Sequence, residues 1–175
     1  MMKRTKLNFN LSSLIFHLSS RDGFTLVELI VVISVAAVVS VIGIAAFVSY
    51  SQTQSLNTAA EDIVNMFSLA KSRAASGVKP TTAPCDTQAL QGYKITITPP
   101  STYQLDALCS LGSSPVLPPK NLSNNNNITF TTPASSPTSF TFSVLTGGFS
   151  QTGTIVLSGF GKDKTITIDS LGNAR

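Results

Sequence analysis

The sequence predicts an α+β fold in which one long N-terminal helix packs its second half on an antiparallel β-sheet head. Three observations predict it. An apolar run from Phe24 to Tyr50 carries a single charge, Glu28. An amphipathic stretch follows without a break. Beyond residue 81 the chain turns to short alternating segments rich in Thr, separated by Pro, Gly, Asn and Ser.

The apolar run holds 27 residues, about 40 Å of helix at about 1.5 Å per residue, enough to cross a bilayer core of roughly 30 Å. Val and Ile dominate it and would suit strands in water. In a bilayer every backbone group must be satisfied internally, and for a lone segment this selects a helix. Lys3, Arg4, Lys6 and Arg21 precede the run, and no charge lies between Glu28 and Glu61. The positive-inside rule therefore places the N-terminus in the cytoplasm and the C-terminal part outside. Gly43 marks a point near the outer end where the helix can bend.

Past Tyr50, Leu56, Ala59, Ala60, Ile63, Phe67, Ala70 and Ala74 recur at steps of three and four, with polar residues between them. That spacing makes one apolar helix face. Gly77 is a natural C-cap and Pro80 a stop. One nearly continuous helix is therefore expected from Phe24 to about Ser76. The β segments are expected at 93–98, 102–105, 128–131, 140–144, 154–157 and 164–168, with Thr on the open face. Gly112–Pro119, Asn124–Asn127, Pro133–Pro137, Gly147-Gly148 and Gly159–Lys162 read as turns and loops.

A length of 175 residues allows one compact domain plus an extended appendage. The net charge of +4 comes mostly from before residue 24, and the remainder carries eight Lys/Arg against seven Asp/Glu. The basic balance thus describes the N-terminal segment and says little about what the folded part binds. Cys85 and Cys109 lie beyond the apolar run, where an oxidising compartment makes a disulfide plausible. The alternative of two partly buried free thiols stays open. The one histidine, His17, precedes the apolar run. Without it the rest of the chain cannot build a Ser-His-Asp or Cys-His arrangement or a His-ligated metal site, and two cysteines leave a zinc site half empty. Asp86, Asp106, Asp163 and Asp169 are scattered singly. No enzyme, cofactor or metal is expected.

A secretory signal is cut on the far side of its apolar core, and Gly43-Ile44-Ala45-Ala46 is a weak site of that kind. Here, however, the basic leader ends in Arg21-Asp22-Gly23 directly against the core. Gly23-Phe24-Thr25-Leu26-Val27-Glu28-Leu29-Ile30-Val31-Val32-Ile33 closely resembles the processing site of type IV prepilins and type II secretion pseudopilins. The resemblance implies cleavage by a prepilin peptidase after Gly23 and methylation of the new amine of Phe24. It divides the chain into a leader (1–23), a transmembrane and polymerisation helix (24–50), and a periplasmic or extracellular pilin-like head (51–175). A carboxylate in an apolar run is costly unless paired and is functional by default. For Glu28 the resemblance supplies a partner, the amine of Phe24 on a neighbouring subunit. The alternative is an acid snorkelling to the interface.

Two further stretches are similar to minor pseudopilins of the GspH/FimT type: Ser68-Leu69-Ala70-Lys71-Ser72-Arg73-Ala74-Ala75, and the C-terminal segments ending in Gly172-Asn173-Ala174-Arg175. The chain departs from the DNA-binding members at Asn173, where they carry arginine. Lys162, Lys164 and Arg175 are the candidates for a small basic edge, a weak nucleic-acid site without clustered aromatics. The expected function is a structural subunit of a type IV pilus-like or type II secretion filament, the alternative a DNA-binding minor pilin that aids uptake. The expected partners are prepilin peptidase, other pilin or pseudopilin subunits, and the inner membrane before assembly.

Overall fold

A computed structural model describes residues 23–122, 127–134, 138–146 and 148–175. The leader with its charges and His17, most of the Asn run and part of the Pro133–Pro137 stretch lie outside the described residues. The chain divides into two compact units, Met1–Ile44 and Ala45–Arg175. Helix α1 runs Leu26–Ser76. Seven strands follow: β1 (Leu90–Thr98), β2 (Thr102–Cys109), β3 (Gly112–Asn121), β4 (Ile128–Thr132), β5 (Thr138–Ser143), β6 (Gly153–Gly159) and β7 (Lys162–Ile168).

In the first unit no described residue of the helix is buried. Leu26, Val27, Ile30, Val35, Val41 and Ile42 are all exposed by more than half. In the second unit the same helix becomes one wall of a core. Leu56, Ala59, Ala60, Ile63, Phe67, Ala70 and Ala74 are buried, as the spacing predicts, and Met66 joins them. Helix α1 ends in a Schellman motif: Val78 N–H donates to Arg73 O and Gly77 N–H to Ala74 O, with Gly77 at φ 62°.

The expected single sheet is two antiparallel sheets, ordered β3-β2-β1-β5 and β4-β6-β7. Alternation fixes their register. Ile95 lies between Leu105 and Phe140, Tyr93 between Ala107 and Phe142, and Ile155 faces Ile166. All are buried, so a slip of one residue would turn each set outward. Phe67 meets Phe140 edge to face at 5.2 Å and Phe142 at 6.3 Å, which adds roughly 0.5–1.5 kcal/mol per pair beyond burial.

Gly112–Pro119 is not a turn but most of β3. Proline lacks the N–H of a ladder and is tolerated where a strand has a neighbour on one side only. Strand β3 pairs with β2 alone, through two register irregularities that accommodate Pro115, Pro118 and Pro119. Its Ser114 is fully buried and shares a hydrogen bond of 2.6 Å with Thr82. Strand β2 also continues past the expected Leu105 to Cys109. There Cys109 is bonded to Cys85, with Cα atoms 5.5 Å apart.

The β6–β7 connection is a two-residue hairpin, Phe160-Gly161, between the paired Gly159 and Lys162. Both residues have positive φ, 57° and 72°, the geometry of a type I′ turn that favours Asn-Gly. Phe160 there costs about 1–2 kcal/mol of backbone strain. Phe160→Asn is expected to relieve part of it and to raise the melting temperature of the detergent-solubilised chain by about 2–4 °C. Thermal circular dichroism checks this, and an unchanged or lower value would mean that Phe160 returns its strain through packing.

Candidate functional site

The residues singled out in the sequence fall at the start of α1 and along the hairpin face beside its second half. Gly23 and Phe24 precede the helix, and Phe24 is 78% exposed. Thr25 is the N-cap: its Oγ1 accepts the N–H of Glu28 at 3.2 Å. This moves the helix start from the expected Phe24 to Leu26. The signal in the sequence is the Thr-x-x-Glu spacing ahead of an apolar run. Glu28 thus sits in the first turn, where the positive end of the helix dipole favours a carboxylate. Further along, the Ser34 and Ser40 hydroxyls donate back to Ile30 O and Ala36 O, each at 2.7 Å. These polar groups are satisfied within the helix itself. The carboxylate of Glu28 is left as the group that needs something from outside.

In the head the three candidate cations do not form one patch. The Nζ of Lys162 donates to Thr53 Oγ1 at 2.6 Å and to Ser49 Oγ at 3.3 Å. It ties the hairpin tip to the helix, and sequence alone gave no sign of it. Lys164 and Arg175 do share an open cleft, with Asn57, Ala60, Val64 and the acidic Glu61. The backbone of Arg175 is committed too, exchanging both hydrogen bonds with Thr167 at 2.8 and 3.1 Å. The last residues therefore continue the sheet beside β7.

Asn173, where the resemblance marked a departure, has its own role. Its side-chain amide donates to Asp169 Oδ2 at 2.8 Å while its Oδ1 accepts from Lys71 Nζ. The two stretches that carried the GspH/FimT resemblance meet at this contact. Asn173, through its side chain and then its N–H, holds the Asp169 carboxyl below the usual carboxylate range. Gly172 completes the turn. Its φ is 74°, and a Cβ there would come within 2.3 Å of the Phe142 ring, so no other residue fits without moving the core.

No group of three or more metal-ligating side chains occurs among the described residues. Two tyrosines have perturbed hydroxyls. Tyr93 donates to Val78 O, just past the helix end, and burial raises its pKa against the pull of Arg73. Burial, and secondarily the negative charge of Asp62, push Tyr103 to about 12. Both rings are buried in the core.

Two family models match the chain. One, described as the prokaryotic N-terminal methylation motif, covers residues 18–44. The other, described as type II transport protein GspH, covers residues 59–172, well over half of the sequence. The chain belongs to the GspH family. No curated protein and no solved structure matches it. The GspH match takes in the buried stripe of α1 from Ala59 onward, all seven strands and the turn at Gly172. The methylation-motif match brackets Gly23, Phe24, Thr25 and Glu28. Pseudopilins of the GspH type are structural subunits, and the apolar helix of this chain is long and apolar enough to cross a membrane.

The pKa of Tyr103 gives a stability profile. Because its folded value lies above the ordinary value of 10, its contribution is complete below about pH 10 and is lost as pH rises toward 12. Denaturant titrations of the wild type should therefore show a steeper loss of stability across that window than Tyr103→Phe. Identical slopes would remove Tyr103 as the cause.

Proposed function

We propose that this GspH-family pseudopilin is made as a precursor, cut between Gly23 and Phe24 by a prepilin peptidase, methylated on Phe24 and assembled into a type II secretion or type IV pilus-like filament. Residues 24–50 are then the membrane and polymerisation segment. Residues 51–175 form the head outside the cytoplasm. The observation that supports this best is the state of Glu28. It stands in the first turn of an exposed apolar helix, where the neighbouring Thr25, Ser34 and Ser40 are engaged within the helix. A carboxylate so placed needs a cation, and the amine created by cutting after Gly23 is one that every neighbouring copy or sister pseudopilin would bring. Gly23 lies outside the helix, and among the described residues a Cβ there would meet nothing within 4 Å.

Lys164 and Arg175 are the cations left for the alternative, DNA binding by the head. Lys162 is engaged with the helix, and Glu61 faces the same cleft. Nothing in that arrangement favours it over the filament reading.

The test is mass spectrometry of the membrane fraction from cells that co-express the chain with a prepilin peptidase. The expected N-terminus is N-methylated Phe24, and Gly23→Arg should leave the precursor uncut. Glu28→Val should be cut but stay in the membrane without co-purifying with sheared filaments. An intact Met1, or a chain starting near Ala46, would overturn the proposal.

A further inference from the structure

The strained tip of the β6–β7 hairpin has no role in the account so far. Phe160 is 38% exposed at φ 57°, and among the described residues a Cβ placed on Gly161 would meet nothing within 4 Å. A turn of this type would be easier to build with Asn at the first position. A bulky residue held in the left-handed region, with part of its ring left in the open, points to a use for that exposed edge.

Its location indicates the use. Lys162, directly after the tip, reaches Ser49 and Thr53 of α1, where the apolar run ends at Tyr50. Phe47 and Tyr50 are exposed by 71% and 69%. With Leu122 and Ile128 they line an open cleft of about 450 Å³. Ile128 pairs with Gly159, the residue before Phe160. The base of the head thus presents apolar and aromatic side chains, interspersed with the polar Ser51, Gln54, Ser55 and Thr58, and has Lys162 close by, where the membrane-length helix run ends. Aromatic rings and snorkelling lysines gather in the headgroup layer of bilayers.

We propose that the Phe160-Gly161 tip is a membrane-interface contact that seats the base of the head on the outer surface of the bilayer before the subunit leaves it. This rests on residues 24–50 spanning that bilayer. The occupant is lipid at the headgroup boundary, because the tip continues the surface of the helix segment that emerges there.

The chain has no tryptophan, so single-Trp variants of the full-length protein report position. F160W, F47W and L111W are reconstituted into vesicles of phosphatidylethanolamine and phosphatidylglycerol. The vesicles are doped with lipid brominated near the headgroup end of its chains. Leu111 is 78% exposed and lies at the other end of the head: it follows Cys109, which pairs with Leu90, and Gln91 O accepts from Val144 beside the Leu145–Ala74 contact at the end of α1. Circular dichroism first confirms that each variant keeps the wild-type fold. The expected result is quenching of F47W and F160W at least about twofold beyond that of L111W, with blue-shifted emission. If F47W is quenched and F160W is not, the tip does not touch lipid and the proposal falls while the membrane span stands. If F160W shifts to the blue with protein concentration but is not quenched, the tip meets a second copy and the proposal also falls. If neither is quenched, the span itself fails and the tip contact with it.

Discussion

The stripe of Leu56, Ala59, Ala60, Ile63, Phe67, Ala70 and Ala74 along one helix is the constraint on which the head depends. Ile63, Phe67 and Ala70 are completely closed to solvent. The alanines let the sheets approach closely, and Phe67 fills the space that this leaves between Phe140 and Phe142. Neither sheet is large enough to close a core alone, with four strands in one and three in the other. The helix is the surface on which both bury their inner faces. From Phe24 to Tyr50 every residue of the chain is exposed, so the apolar side chains there depend on lipid or on other helices for cover.

Polar groups follow the same economy. Along the apolar segment they are either turned back onto the helix, as Ser34 and Ser40 are, or used to cap it, as Thr25 is. Glu28 stands apart because its carboxylate has no such local solution. In the head several cations are absorbed by the fold, Lys71 by Asn173 and Lys162 by Ser49 and Thr53. These bonds brace the C-terminal turn and the hairpin tip against α1. The result is a head whose C-terminal turn and hairpin tip are both tied to the helix.

Much of this could be read from the chain. The steps of three and four after Tyr50 located the buried face of α1, and period-two alternation located six of the strands. The missing strand, β3, was hidden because its three prolines resemble a loop. Only its place at a sheet edge makes them acceptable. The division into two sheets was also hidden, since alternation marks which face is buried but not which strands are neighbours. Among the candidate site residues, the Gly23, Phe24 and Glu28 constellation was visible as a motif. The separation of Lys162 from Lys164 and Arg175 was not, because it depends on which helix residues lie opposite the hairpin tip.

The sequence by itself determined where the chain must leave water and where it must return, since length and apolarity settle that without reference to any other residue. It also determined the chemistry at the start of α1, because the cap and the carboxylate are local. Tertiary structure decided what the C-terminal half does with its charges and its strain. Asn173 became a clasp for Lys71, Lys162 a brace on α1, and Phe160 a partly exposed ring on a strained turn. Each role depends on residues more than 100 positions apart in the chain or on the free space around a turn, and such relations exist only after the helix and the two sheets have closed on one another.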